Sequence, residues 1–124
     1  MQKTILIVDD NATIRHLLAD FFSDIPRSFE IHEAADGVEA VEKAPLLDPD
    51  LILMDLAMPR MNGLEASEKL RKLKIQSPII LFTLHARSVP EAVIEKSGIN
   101  AVVLKTDFAA LREQVETFLP DSRV

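Results

Sequence analysis

The 124-residue chain is 48% apolar and 27% charged, which fits one globular domain with a buried core and excludes a disordered polymer. A net charge of −6 without a long basic run argues against a nucleic-acid surface, and the lack of cysteine excludes disulfides, thiolate chemistry and cysteine-ligated zinc. No apolar run reaches the roughly 18 residues that span a bilayer, and MQKTILIVDD carries one lysine and then acids rather than a secretory leader, so a cytoplasmic location is expected.

The first apolar run is TILIV at 4–8, followed by Asp9-Asp10-Asn11. Ile14, Leu17, Leu18, Phe21 and Phe22 then recur at the spacing of one helix face. FEIHEA at 29–34 is a weaker strand, and a short helix from Gly37 to Ala44 is expected to end or kink near Pro45. LILM at 51–54 runs into Asp55, and Asn62-Gly63 precedes a helix over 64–74 whose charges suit a solvated face. PIILF at 78–82 leads to Thr83. Ser88-Val89-Pro90-Glu91 reads as a capping box, opening a helix that stops near Gly98. AVVL at 101–104 leads to Lys105, and Phe108, Leu111, Val115, Phe118 and Leu119 mark a last amphipathic helix before Pro120. Strand and helix thus alternate five times. Short, continuous apolar runs suit strands buried on both faces, so the class is α/β with a parallel sheet between helices and right-handed crossovers.

All strands of a parallel sheet end on one edge, where open α/β sheets bind ligands. Asp9, Asp10, Asp55, Thr83 and Lys105 each follow such a run, so the fold gathers them there. Three carboxylates together raise one another's pKa or share a cation. An all-oxygen donor set favours a hard divalent ion, and Mg²⁺ suits it best. With Lys105 and the Thr83 hydroxyl, such a rim cradles a phosphoryl group. Asp55 itself could be a metal ligand, a base or a nucleophile attacking phosphorus. No His or Glu is placed to activate water, although His85 lies close in sequence. The pattern therefore fits a protein that accepts a phosphoryl group better than one that hydrolyses a foreign substrate.

The chain resembles a receiver domain of the two-component response-regulator family over about residues 3–119. VDDN after the first run matches the family's acidic pair, DLAMPRMNG the phosphoacceptor segment D-x-x-M-P-x-M-[ND]-G, and FT at 82–83 and LK at 104–105 fall at the family's separations. The resemblance implies a CheY-like, flavodoxin-like (βα)5 three-layer sandwich with strand order 2-1-3-4-5. It implies a receiver domain over 1–119 and a short tail over 120–124. It implies that Asp55 is phosphorylated in a Mg²⁺-dependent step, by a sensor histidine kinase or phosphotransfer protein, and later dephosphorylates itself. Asp10 would bind Mg²⁺ directly, Asp9 mainly through water, and the backbone carbonyl of Ala57 and Asp55 would complete the protein ligands. Thr83 and Lys105 would hold phosphoryl oxygens. Phosphorylation would switch the conformation, read by an output domain or effector, with a homodimer through the fourth helix, fifth strand and fifth helix.

Three positions depart from the family's pattern. Val102 stands where Tyr or Phe is usual, Thr106 follows the lysine in place of proline, and Leu84 replaces a small residue after Thr83. Lys followed by a non-proline occurs in receivers attached to helix-turn-helix output domains. Leu84 is expected to slow phosphotransfer from small donors. Two other functions remain open from the sequence. A receiver-like binding module with impaired switching is compatible with Val102 and Leu84. A Mg²⁺-dependent phosphohydrolase needs a second acid two residues after its nucleophile, where this chain has Ala57. The absence of GxxxxGK and GxGxxG, and of glycine in the first loop, argues against nucleotide binding. His16 and His32 show no metal spacing, and the apolar end of the first helix around Thr13, Ile14 and Leu17 could dock a kinase helix. No DNA-binding segment follows the last helix, so the chain is expected to be either a stand-alone receiver or the first part of a longer regulator.

Overall fold

The computed structural model describes residues 2–85 and 88–121. Five strands, β1 (Lys3–Val8), β2 (Phe29–Ala34), β3 (Leu51–Met54), β4 (Ile79–Thr83) and β5 (Ala101–Leu104), alternate with five helices, α1 (Ala12–Ser23), α2 (Gly37–Leu47), α3 (Gly63–Lys72), α4 (Glu91–Lys96) and α5 (Phe108–Phe118). The strands form one parallel sheet in the order β2-β1-β3-β4-β5, as the resemblance implied. This is the flavodoxin-like three-layer sandwich.

Alternation along each strand divides the core in two. Ile5, Ile7, Leu51, Leu53, Ile80, Phe82 and Val103 face Leu18, Phe22, Leu111 and Val115 of α1 and α5. Leu6, Val8, Ile52, Met54, Ile79 and Leu81 face Ala40, Ala44, Ala66 and Leu70 of α2 and α3. The first layer also carries a run of contacting rings, Phe29–Phe22–Phe21–Phe108–Phe82, with centroids 5.1–5.8 Å apart. On α1, Leu18 and Phe22 are buried while Leu17 is half exposed.

Helix starts follow the side chains that can cap them. Asn11, Asp36, Asn62 and Asp107 each accept a bond from a first-turn amide. Asn62 and Glu65 form a reciprocal capping box, with bonds of 2.9 and 3.1 Å. The box expected at Ser88 and Glu91 does not form. Proline disfavours a helical residue before it, so the helix begins after Pro90, and Ser88 Oγ instead donates to the His85 carbonyl at 2.7 Å. Helix α2 passes Pro45 and ends two residues later at Leu47, whose side chain packs on the core. Helix α3 starts at Gly63 and closes at Lys72, with Lys74 in the left-handed region at φ 67°. The tail predicted after residue 119 lies partly outside the described residues.

Candidate functional site

The carboxyl ends of β1, β3, β4 and β5 bring Asp9, Asp55, Thr83 and Lys105 to one rim. Backbone pairing beyond the strands fixes them there: Asp9 N–H donates to Ala34, Asp55 N–H to Val8 at 2.9 Å, and Lys105 N–H to Thr83 at 2.9 Å. Lys105 Nζ lies 2.7 Å from Asp9 Oδ2 and 3.0 Å from Asp55 Oδ1. The remaining Asp9 oxygen accepts from Asn11 N–H at 2.9 Å, and Asp55 Oδ1 also accepts from Leu56 N–H at 2.8 Å. Thr83 Oγ1 accepts from His85 N–H at 3.3 Å, so its hydroxyl proton stays available to a ligand.

Asp9, Asp55 and Thr83 are buried, whereas Asp10 is exposed. One carboxylate oxygen from each of Asp9, Asp10 and Asp55 falls within 4.8 Å of the others. Burial, then the neighbouring Asp9 charge, push the Asp55 carboxyl above the ordinary aspartate range; the Lys105 bond opposes this without cancelling it. Burial alone would lower Lys105, but its hydrogen bonds to Asp9 and Asp55 outweigh that and hold it above the usual lysine value. One ammonium thus faces three carboxylates, leaving a charge deficit that a hard cation would offset.

A cleft of about 490 Å³ opens over these groups, walled also by Ile14, Ala57, Leu84, His85 and Thr106. Leu84 is 60% exposed at its mouth. Val102 is half-buried and packs on the α2–α3 layer together with Ile94. All six site positions expected from sequence therefore surround one cleft: Asp9, Asp10, Asp55, Ala57, Thr83 and Lys105. Arg15, which the sequence did not single out, donates through Nη1 to the Asp9 carbonyl at 2.7 Å and pairs with Glu33 at 2.7 Å. Its place one helical turn after the Asn11 cap was the only available signal.

The response regulator receiver domain family matches residues 5–116. The chain belongs to this family. Among curated relatives, the receiver domain is 37% identical over 102 residues to the nitrate/nitrite response regulator NarL of Escherichia coli, covering 82% of this chain and 47% of NarL. It is 38% identical to the Regulator of RpoS of the same organism, covering 91% of this chain and 34% of that protein. The chain therefore spans about half or less of the length of these relatives. A solved response regulator, TrrA of Thermotoga maritima in complex with Mg²⁺ and BeF, is 35% identical and superimposes with a TM-score of 0.82, covering 94% of this chain and 99% of that one. The protein is thus a receiver domain of a two-component response regulator, a regulatory module. Among the described residues no helix is long and apolar enough to cross a membrane.

Proposed function

We propose that Asp55 is the phosphoacceptor and that the acidic rim holds Mg²⁺ for that step. The observation that carries this is the Lys105 ammonium bridging Asp9 and Asp55 at the sheet's carboxyl edge. Asp55 Oδ1 is held by Lys105 and the Leu56 amide, while Oδ2 makes no hydrogen bond or ion pair among the described residues. Oδ2 is therefore the attacking oxygen. Its bond to phosphorus forms as the P–N bond of a donor phosphohistidine breaks, the electron pair leaving on the imidazole nitrogen. Lys105 and the Thr83 hydroxyl take phosphoryl oxygens as charge moves onto them.

Asp10 carries no bond or ion pair among the described residues, so it is the carboxylate free to ligate a cation directly. Both Asp9 oxygens already have partners, which suits contact through water. Asp55 and the Ala57 carbonyl complete the set. These residues would hold Mg²⁺, which when bound would supply positive charge to offset the negative charge developing on a phosphoryl group. The donor is a sensor histidine kinase or phosphotransfer protein in the cytoplasm, and the aspartyl phosphate later hydrolyses without turnover of a foreign substrate. The face that reports the change is α4–β5–α5, where Val93, Leu104 and Phe108 are partly exposed and could meet an output domain, an effector or a second copy.

A second reading is favoured by Val102. It is small and already half-buried against the α2–α3 side of the core, so no aromatic ring is present at that position to swing inward. In that reading the domain binds partners with little conformational change. The test is intact mass after incubation with Mg²⁺ and acetyl phosphate. A single phosphoryl adduct on the wild type and none on Asp55→Asn supports the acceptor role. An adduct that persists in Asp55→Asn refutes it.

A further inference from the structure

The loop carrying Ala57 is held at its far end by residues the phosphotransfer step does not use. At its base, Gly63 N–H donates to the Leu56 carbonyl at 2.8 Å. At its tip, Met61 N–H donates to the Pro59 carbonyl at 2.7 Å, a three-residue turn centred on Arg60 at φ 65°. A turn of this hand is rare, and a residue with a side chain is strained in it. Such strain persists where the surroundings over-determine the conformation.

Here the surroundings are the turn between β2 and α2. Arg60 Nε donates to Asp36 Oδ2 at 2.7 Å. Asp36 is itself nearly buried and fixed, because its Oδ1 caps α2 through Glu39 N–H at 2.9 Å. One residue on, Gly37 N–H donates to the Met61 carbonyl at 3.2 Å. A Cβ on Gly37 would lie 2.4 Å from that oxygen, so only glycine permits the approach. Two contacts from one turn thus grip both residues at the tip of the loop. Arg60 remains 60% exposed, and an exposed ion pair of this kind adds little to global stability.

We propose that Asp36 and Arg60 are positioning residues for the cation site: their ion pair, with the Gly37–Met61 contact, locks the β3–α3 loop so that Ala57 stays beside Asp55. This rests on the reading of the site given above. The lock acts by raising the fraction of molecules whose loop is already competent, which tightens apparent affinity in proportion. Asp36 and Arg60 do not line the cleft over Asp55.

The experiment is titration of the full chain with Mg²⁺ at constant ionic strength, followed by amide NMR and by calorimetry, on wild type, Arg60→Gly, Asp36→Ser and the double variant. Glycine accepts the positive φ, and serine keeps the α2 cap without reaching Arg60. Each single variant should weaken Mg²⁺ binding by about tenfold, the size seen when supporting contacts of a metal site are lost. The double variant should be no weaker than either single one, because both remove one interaction. Simple charge effects cannot mimic this. Losing Arg60 removes a positive charge and would tighten Mg²⁺ binding, whereas losing Asp36 would weaken it. Opposite shifts, or affinities within about twofold of wild type, overturn the lock while leaving the site intact. A wild type whose Mg²⁺ response does not centre on Asp9, Asp10, Asp55 and Ala57 overturns the site reading, and the lock with it.

Discussion

Asp55 carries a cost that the rest of the site partly offsets. Its folded-state pKa is raised above 3.8, by burial first and then by Asp9. A raised acid contributes stability that is full below its unfolded pKa and lost as pH rises through the folded value. At neutral pH the ionised Asp55 therefore destabilises the apo domain. Asp55→Asn should raise Tm at pH 7, because the amide carries no buried charge. The advantage should shrink as pH falls toward 3.8, read by thermal circular dichroism across a pH series. Lys105→Ala should do the reverse, losing about 2–4 kcal/mol at neutral pH by leaving two buried carboxylates without their ammonium. Leu84 stands at the mouth of the cleft. Leu84→Ala should speed labelling by acetyl phosphate severalfold while leaving Tm nearly unchanged, since the side chain is mostly in solvent; equal labelling rates would remove its gating role.

The acceptor segment depends on how closely α3 approaches β3. A Cβ on Gly63 would lie 2.1 Å from the Asp55 carbonyl oxygen, and backbone cannot yield as a flexible side chain does. Gly63→Ala should cost about 3 kcal/mol or more, measured by urea unfolding. Asn62, which caps α3, and Ser88, which the sequence offers as a cap for α4, make a paired test. Asn62→Ala should cost about 1 kcal/mol, while Ser88→Ala should stay within about 0.5 kcal/mol, because only Asn62 caps a helix. These elements also show what could be read from the chain. Asp9, Asp55, Thr83 and Lys105 were legible because each ends an apolar run, and parallel strands share one edge. The start of α4 was not, because Pro90 overrode a good cap-and-acid pattern. The end of α2 was legible to within a few residues: the helix passes Pro45 and closes where Leu47 packs on the core. The Asp36–Arg60 contact joins residues 24 apart through two loops, and no local spacing reveals it.

At the scale of the molecule, a cation that binds only the folded rim must stabilise the whole domain. Mg²⁺ at about 100 times its dissociation constant should add about 2.7 kcal/mol to unfolding free energy. The gain should vanish in Asp10→Ala, which removes an exposed carboxylate and leaves the core untouched. The class of the fold followed from five alternating runs, since the continuous apolar stretches match strands covered on both sides. The order of the strands came from family resemblance, because periodicity does not say which strands are neighbours.

The ring system described for the α1–α5 layer has a practical consequence. The six phenylalanines all pack in or against that layer, and the chain has neither Trp nor Tyr. Near-ultraviolet dichroism is therefore a one-sided witness: it registers loosening beneath α1 and α5 and is blind to the opposite half. Set beside the far-ultraviolet signal, which sees every helix, it resolves whether the two halves of this sandwich melt together or in turn.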